Sequence, residues 1–398
     1  MEKITRYIFY FYALILPYGS VNPLNLSAVY GISTANVDQQ GIGSYFFALC
    51  VLMTITDRKI WLQHKKIIKY YLPLFTLFVT LFISTILYEG KEMPFPYSFF
   101  IKLLVAEVGF CILTLYFIHY PKVMTYSLTI YAYSCVIIVM AYYLGLLEGL
   151  YFVSKGRLWL FGENPNSYSF MMGLGAIILV YNNMHVYKTK LIQILNVLFV
   201  GALFYYMVLS GSRGSFLMCV LAIAVLSYKF LLRKIVLVIP ALLLIISIVV
   251  SSIEKRQNEV SFVERLEELR EGDDDRTKLL EDAWFLFTER PIYGWGYSGY
   301  VVERGLRFHE DRDSHNLLMS VCVMSGIIGL LAILLFLYHI GFSCLKVSRH
   351  NVFPIIVFFY VFLMSMKTGD VITFAMMWYC YAIVYAMAVA AKGKENVQ

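Results

Sequence analysis

Twelve apolar stretches, most of them near the length of a bilayer-spanning helix, dominate this chain of 398 residues. A bilayer core about 30 Å thick needs roughly 20 apolar residues per helix. With 60% hydrophobic residues, only 15% charged residues and a mean hydropathy of +0.69, the chain lies outside the range of ordinary soluble domains. The sequence therefore predicts an all-α polytopic membrane protein with about 12 transmembrane helices. The predicted spans are residues 5–20, 41–56, 69–88, 97–118, 124–146, 167–184, 190–209, 214–232, 235–253, 316–343, 352–367 and 371–391.

The distribution of lysine and arginine predicts the orientation of these spans, because cytoplasmic loops carry an excess of both. The two termini and the loops on their side of the membrane hold 17 lysines and arginines. The loops on the other side hold five, if the long segment 254–315 is left out. Both termini are therefore predicted to be cytoplasmic. The five residues on the opposite side are Lys91, Lys155, Arg157, Arg213 and Lys367.

The composition and the residue spacing do not support nucleic-acid binding, a disulfide framework or a zinc site. The net charge of +7 follows from this sorting of loops, and no basic cluster interleaved with aromatic residues predicts nucleic-acid binding. The seven cysteines fall in or beside apolar spans, so neither a disulfide framework nor a zinc site is predicted. No cofactor and no metal is expected.

Residues 254–315 form the only long hydrophilic segment and carry 16 of the 26 acidic residues. The sequence therefore predicts three parts: nine transmembrane helices in 1–253, a large extracytoplasmic loop of short helices in 254–315, and three further spans with the cytoplasmic C-terminus in 316–398. A capping box at Ser261 and Glu264 predicts a first loop helix that ends near Gly272.

The stretch "DDDRTKLLEDAWFLFTER" predicts a second loop helix, with an aspartate as its cap and Pro291 as its end. Helical spacing places Arg276 on the same face as Leu279, Leu280, Ala283 and Phe287. An inward-facing arginine in a first helical turn suits a phosphate. The alternatives are that Arg276 pairs with Asp273 or extends past the apolar stripe. The three aspartates 273–275 favour a helix cap over a metal site, because adjacent residues fan out around a helix.

After the second loop helix come the segment "IYGWGYSGY" and then His315. The glycines of the segment allow a tight turn and a close approach of its backbone to another group. Its aromatic residues, Trp295 among them, suit either structural anchoring or a sugar face. His315 lies at the mouth of the tenth span, where a histidine can accept a proton or serve only as a hydrogen-bonded cap.

The stretch "VLSGSRGSFL" places Arg213 in an extracytoplasmic turn between two spans, where it either extends to the interface or turns toward a polar cavity. Other polar residues are predicted to reach the same membrane face, which favours a site for an acidic donor. Within the spans, Lys102 and Glu107 are candidates for a functional cavity, whereas Ser325 and Gly329 suit helix packing. The candidate binding residues at that face are Arg157, Glu163, Asn164, Asn166, Arg290 and Trp295.

Five motifs in fixed order, "RLWLFGENPNSYSF", "LSGSRGSFL", an arginine opening a loop helix, "RPIYGWGY" and "HNLLMSVCVMSGIIGL", resemble the O-antigen ligase and O-antigen polymerase superfamily. The match covers about residues 157–330. The resemblance implies a GT-C-like fold and an inverting, metal-independent glycosyltransferase in the bacterial cytoplasmic (inner) membrane. It also implies that Arg213 and Arg276 neutralise a diphosphate leaving group, and that His315 orients or deprotonates the acceptor hydroxyl.

The partners implied by this resemblance are a glycan donor and acceptor linked to undecaprenyl diphosphate, the lipid membrane, and a chain-length regulator and flippase. The expected function is a polymerase of lipid-linked repeat units for O-antigen or capsular polysaccharide. Two alternatives stay open: a ligase that delivers the glycan to lipid A core, and, from another class, a transporter of lipid-linked sugars. A transporter would favour related halves and midplane polar residues.

Overall fold

The computed structural model describes residues 2–18, 42–88, 95–154, 157–161, 164–233, 275–310, 313–367 and 371–395. These residues form thirteen α-helices and one β-hairpin. The elements in chain order are α1 (Glu2–Ile15), α2 (Ile42–Ile55), α3 (Ile68–Ile86), α4 (Tyr97–His119), α5 (Pro121–Tyr143), β1 (Tyr151–Ser154), β2 (Arg157–Leu160), α6 (Pro165–His185), α7 (Lys190–Leu209), α8 (Arg213–Arg233), α9 (Asp275–Glu289), α10 (Gly296–Phe308), α11 (Leu317–Val347), α12 (Phe353–Ser365) and α13 (Ala375–Glu395).

The predicted spans agree with these helices, and the protein is a polytopic membrane protein. Eleven of the twelve predicted spans overlap a helix. The remaining span, 235–253, lies outside the described residues, and so does the helix predicted after Ser261. By length and composition, six helices among the described residues can cross a membrane. The others are shorter or less apolar, so the predicted number of twelve is supported only in part. The six are Ile68–Ile86, Tyr97–His119, Pro121–Tyr143, Lys190–Leu209, Leu317–Val347 and Ala375–Lys392.

The chain divides into two compact units that interleave along the sequence. The first contains residues 1–5, 47–121 and 274–398, and the second contains 6–46 and 122–273. In the second unit α6 packs against α7, α8 and β2. The hairpin is an element that the sequence analysis missed. Strand β2 nevertheless alternates as a half-buried strand does, with Leu158 and Leu160 buried and Arg157 on the opposite face.

In the first unit α3 packs along α11, and α4 and α12 both pack on α13. Aromatic rings fill the centre of this packing: the ring of Phe336 lies 4.9 Å from that of Phe110 and 5.3 Å from that of Trp378, in edge-to-face and tilted arrangements. Such offset contacts are the favoured geometries of aromatic pairs. Helix α9 packs on α11, and α10 packs on α3, so the loop segment rests on the ends of two transmembrane helices.

Helix α11 is broken at Gly326, whose φ of 64° and ψ of −163° are not helical. The sequence predicted one continuous span here. The backbone groups at the break bond instead to the segment between α9 and α10: the N–H of Ile327 donates to the carbonyl of Pro291 at 2.8 Å, and the N–H of Trp295 donates to the carbonyl of Val323 at 2.8 Å. Because unsatisfied backbone groups are costly in a membrane, these bonds allow the helix to be interrupted.

Gly326→Ala is expected to destabilise the protein. A Cβ atom there would overlap the backbone of Ile292 and Tyr293, and the positive φ alone costs about 1–3 kcal/mol for a residue other than glycine. The melting temperature in detergent should therefore fall clearly. Gly305→Ala on α10 is the control, because a Cβ atom there meets nothing within 4 Å. Equal melting temperatures for the two variants would contradict the role of this break.

Candidate functional site

Helix α9 forms over the stretch predicted from the aspartate cap and the apolar spacing. Leu279, Ala283 and Leu286 are its buried stripe, and half-buried Arg276 precedes that stripe by one turn on the same face. Arg276 thus lies in the first turn on the side of the buried stripe, as the spacing predicts, and its side chain is half-buried. Asp282 is also half-buried.

Trp295 is a structural anchor in this fold, which is the alternative that the sequence left open. Its side chain is only 5% exposed, and its indole N–H donates to the carbonyl of Leu286 at 2.7 Å. The guanidinium of Arg290 lies 4.0 Å from the ring centroid and that of Arg307 lies 5.2 Å from it. Two arginine side chains therefore lie against the indole ring, and little of the ring is accessible to a ligand.

At the glycines on either side of Trp295, the backbone comes close to the backbone of neighbouring helices, as the sequence predicted. Gly294 has a φ of 75° and Gly296 a φ of 69°, in the left-handed region that glycine adopts without strain. A Cβ atom at Gly294 would lie 2.6 Å from the backbone of Met324, and one at Gly296 would overlap the backbone of Thr85. The N–H of Tyr297 also donates to the Thr85 hydroxyl at 2.9 Å, so the segment is fixed between α3 and α11.

His315 precedes α11 with a φ of 52°, a left-handed conformation that is uncommon for a residue with a side chain. Asn316 follows as the helix cap, and its side-chain oxygen accepts from the N–H of Met319 at 3.1 Å. The cap is thus Asn316 and not His315. Because strained backbone concentrates at functional sites, this geometry favours a functional role for the half-buried His315 side chain.

A carboxylate network holds the backbone next to His315. The Asp313 carboxylate accepts from the Tyr300 hydroxyl at 2.9 Å, from the Ser320 hydroxyl at 2.8 Å and from the N–H of Ser314 at 2.6 Å. Burial, with the nearby Asp313 carboxylate, raises the pKa of Tyr300 above its usual range, so the phenol stays protonated and donates. Residues 313 and 314 are therefore tied to both α10 and α11.

In the second unit, Arg157 connects the hairpin to the turn before α8. Its Nε donates to the carbonyl of Ser210 at 3.0 Å, and its Nη2 donates to the side-chain oxygen of Asn166 at 2.7 Å. Asn164 is the cap of α6, where its side chain accepts from the N–H of Asn166 at 2.9 Å. Two predicted binding residues thus position Arg157, and Glu163 lies outside the described residues.

Arg213 begins α8 immediately after this turn. Gly211, with a φ of 64°, packs against the Arg157 side chain. The hydroxyls of Ser212 and Ser215 lie 2.9 Å apart, and Nη1 of Arg213 is buried. The first turn of a helix has unpaired N–H groups and a positive dipole end, which favour a nearby anion.

The structure therefore distributes the predicted residues over the two units. Arg157, Asn164, Asn166 and Arg213 belong to the second unit, and Arg276, Arg290, Trp295 and His315 belong to the first. The sequence analysis missed Asp313, Tyr300 and Ser320. The one signal in the sequence was the position of Asp313 two residues before His315, but a loop aspartate is usually only a solvated surface residue.

Among the residues that the structure describes, no three His, Cys, Asp or Glu side chains are grouped to hold a metal ion. Asp273 and Asp274 lie outside that part of the chain. Comparison with protein-family models finds one match, described as O-antigen ligase, over residues 197–334. The matched range includes Arg213, Arg276, Trp295 and His315. A search of curated proteins finds no match.

Proposed function

We propose that this protein is a polymerase of lipid-linked repeat units. Residues 197–334 match the model of the O-antigen ligase family, whose members are glycosyltransferase-type membrane enzymes of surface-polysaccharide synthesis. The protein would join oligosaccharides carried on undecaprenyl diphosphate into O-antigen or capsular polysaccharide at the outer face of the cytoplasmic membrane. Both chain termini would then be cytoplasmic, as the loop charges predict.

The proposed step is a displacement at C1 of the donor's reducing-end sugar. The acceptor hydroxyl loses its proton to the His315 imidazole, and its oxygen forms a bond to C1 from the face opposite the leaving group. The C1–O bond to phosphate breaks, and its electron pair leaves with undecaprenyl diphosphate. The configuration at C1 is inverted, and the chain's own residues supply the base and the positive charge.

The observation that carries this proposal is the backbone at His315, together with the family match. The backbone of His315 has a φ of 52°, and the segment beside it is held by the half-buried Asp313 network at the start of an apolar helix. A positioned imidazole that accepts the acceptor proton typically contributes about 10²- to 10⁴-fold in rate.

The arginines support the second half of the reaction. Departure of a diphosphate concentrates negative charge, and a guanidinium meets phosphate oxygens with two parallel hydrogen bonds. Arg213 and Arg276 each occupy the first turn of a helix, where N–H groups and the helix dipole add to the positive potential. The resemblance of their motifs to this family is the ground on which we propose that each neutralises charge on the departing diphosphate.

The ligase remains the rival function, because the matching family model is itself described as O-antigen ligase. Loss of a polymerase should leave single repeat units on the cell surface. Loss of a ligase should leave the glycan on undecaprenyl diphosphate. The family match favours either enzyme over a transporter.

Elongation by the purified protein tests the proposal. Protein in detergent is supplied with repeat units linked to undecaprenyl diphosphate, in buffer with EDTA, and the products are separated on a gel. We expect a ladder of lengthening glycans, because arginines and not a metal ion stabilise the leaving group. Absence of elongation with an active lipid-linked substrate would reject the polymerase, and elongation that EDTA abolishes would reject the metal-independent mechanism.

A further inference from the structure

A cavity of about 250 Å³ lies in the first unit, between the starts of α4 and α11 and helix α10. We propose that it binds one monosaccharide ring, the terminal sugar of the acceptor glycan. This inference rests on the proposed glycosyl transfer, but it holds for a polymerase and a ligase alike, because both acceptors end in a sugar. The residues that carry the argument are Phe99, Tyr297, Tyr300, Arg304, Asp313 and Ser320.

An aromatic platform forms one wall of the cavity. The rings of Phe99 and Tyr297 stack with their centroids 4.0 Å apart and their planes 22° from parallel. Tyr297 is fixed from its backbone side by the bond to Thr85, so the ring has a defined place. Each ring covers one face of the other, so the outer ring face of the pair is the surface that can pack against the C–H face of a sugar ring, which is apolar although the hydroxyl rim is polar.

Hydrogen-bond donors and acceptors also line the cavity. Asp313 supplies carboxylate oxygens, which accept hydrogen bonds, and Arg304 supplies guanidinium N–H groups, which donate them. Both are held in place: the Ser320 hydroxyl donates to Asp313 at 2.8 Å, and Nε of Arg304 donates to the carbonyl of Glu310 at 3.2 Å. A sugar hydroxyl both donates and accepts, so a lining with both kinds of group suits it better than it suits a lipid chain.

The sequence position of the lining supports the acceptor as the occupant. Asp313 and Leu317 line the cavity, and each is two residues from His315 along the chain. The hydroxyl that the proposed base deprotonates belongs to the acceptor, so we assign the sugar beside this segment to the acceptor. The volume agrees with one ring, because it lies just below the roughly 300–1,000 Å³ of ordinary small-molecule sites.

Val301→Phe is the variant that tests this proposal. Val301 lines the cavity, so a larger side chain fills the space without removing a polar group. Val302→Phe is the matched control, since it is the next residue of the same helix, also half-buried, and not part of the lining. Tyr297→Leu removes the platform ring and provides a second variant if Val301→Phe does not fold, as judged by its melting temperature.

Saturation-transfer NMR on the full-length protein in detergent is the measurement, with the methyl glycosides of glucose, galactose, mannose and N-acetylglucosamine as probes. We expect a signal from at least one glycoside, reduced tenfold or more by Val301→Phe or Tyr297→Leu and retained in Val302→Phe. No signal from the wild-type protein, or a signal that the cavity variants leave unchanged, would overturn the assignment.

Glycoside binding is measured without any glycosyl transfer, so the sugar-binding assignment of the cavity and the proposed polymerase reaction can be rejected independently. A protein that elongates glycans but shows no cavity-dependent binding would reject the acceptor site alone. Cavity-dependent binding without elongation would reject the polymerase alone. Where elongation occurs, Val301→Phe should raise the KM for the acceptor at least tenfold while changing kcat less.

Discussion

His315→Ala is expected to lower the elongation rate of the purified protein by about 10²- to 10⁴-fold, the usual contribution of a positioned general base. The substitution removes the imidazole that accepts the acceptor proton, and it leaves the Asn316 cap and the Asp313 network in place. The melting temperature and the amount of protein in the membrane should therefore stay close to those of the wild type.

His309→Ala is a matched control for this variant, because His309 also has a φ of 52° and ends α10 on an exposed position. Any general cost of replacing a left-handed histidine appears in both variants, whereas the catalytic loss appears only at 315. Wild-type chain lengths from a well-expressed His315→Ala protein would remove His315 from the mechanism.

Arg213→Ala is expected to lower the elongation rate by about 10²- to 10³-fold, as does loss of one preorganised donor to developing negative charge in comparable enzymes. Arg213→Lys should recover only part of the rate, because an ammonium retains the charge but not the bidentate geometry toward phosphate oxygens. The order wild type, lysine, alanine is therefore the specific expectation, read from initial rates with a lipid-linked substrate.

Arg307→Gln is the control for a simple loss of positive charge. The Arg307 guanidinium is bound by Glu289 at 2.6 Å and by Glu303 at 2.7 Å, on a partly exposed surface. Exposed ion pairs of this kind contribute about 0–1 kcal/mol, so elongation should stay within a few-fold of the wild type. Equal rates for Arg213→Ala and Arg307→Gln would show that Arg213 has no special role at the leaving group.

The long apolar runs by themselves determine that the chain is a helical polytopic membrane protein. Eleven of the twelve expected spans overlap helices, and six described helices are long and apolar enough to cross a membrane. The aspartate cap and Pro291 predicted α9, and its spacing placed Arg276 on the side of Leu279 and Ala283. These features are local: helix periodicity, hydrophobic length and cap residues act within a few turns of chain, so they can be read in sequence order.

The structural roles of single glycines, aromatic residues and polar residues could not be derived from the sequence. Gly326 gave no sign of a broken helix, because its break is stabilised by Pro291 and Trp295 from a distant loop segment. For Trp295 the sequence left structural anchoring and a sugar face both open, and in the structure the guanidinium groups of Arg290 and Arg307 lie over its ring.

One of the contacts that fix the loop segment joins residues more than 200 positions apart, Tyr297 and Thr85. The local propensities that determine the helices carry no information about such pairs. Only the packed tertiary structure brings Asp313, Tyr300 and Ser320 together beside His315, because a hydrogen bond depends on distance and direction in space and not on separation along the chain.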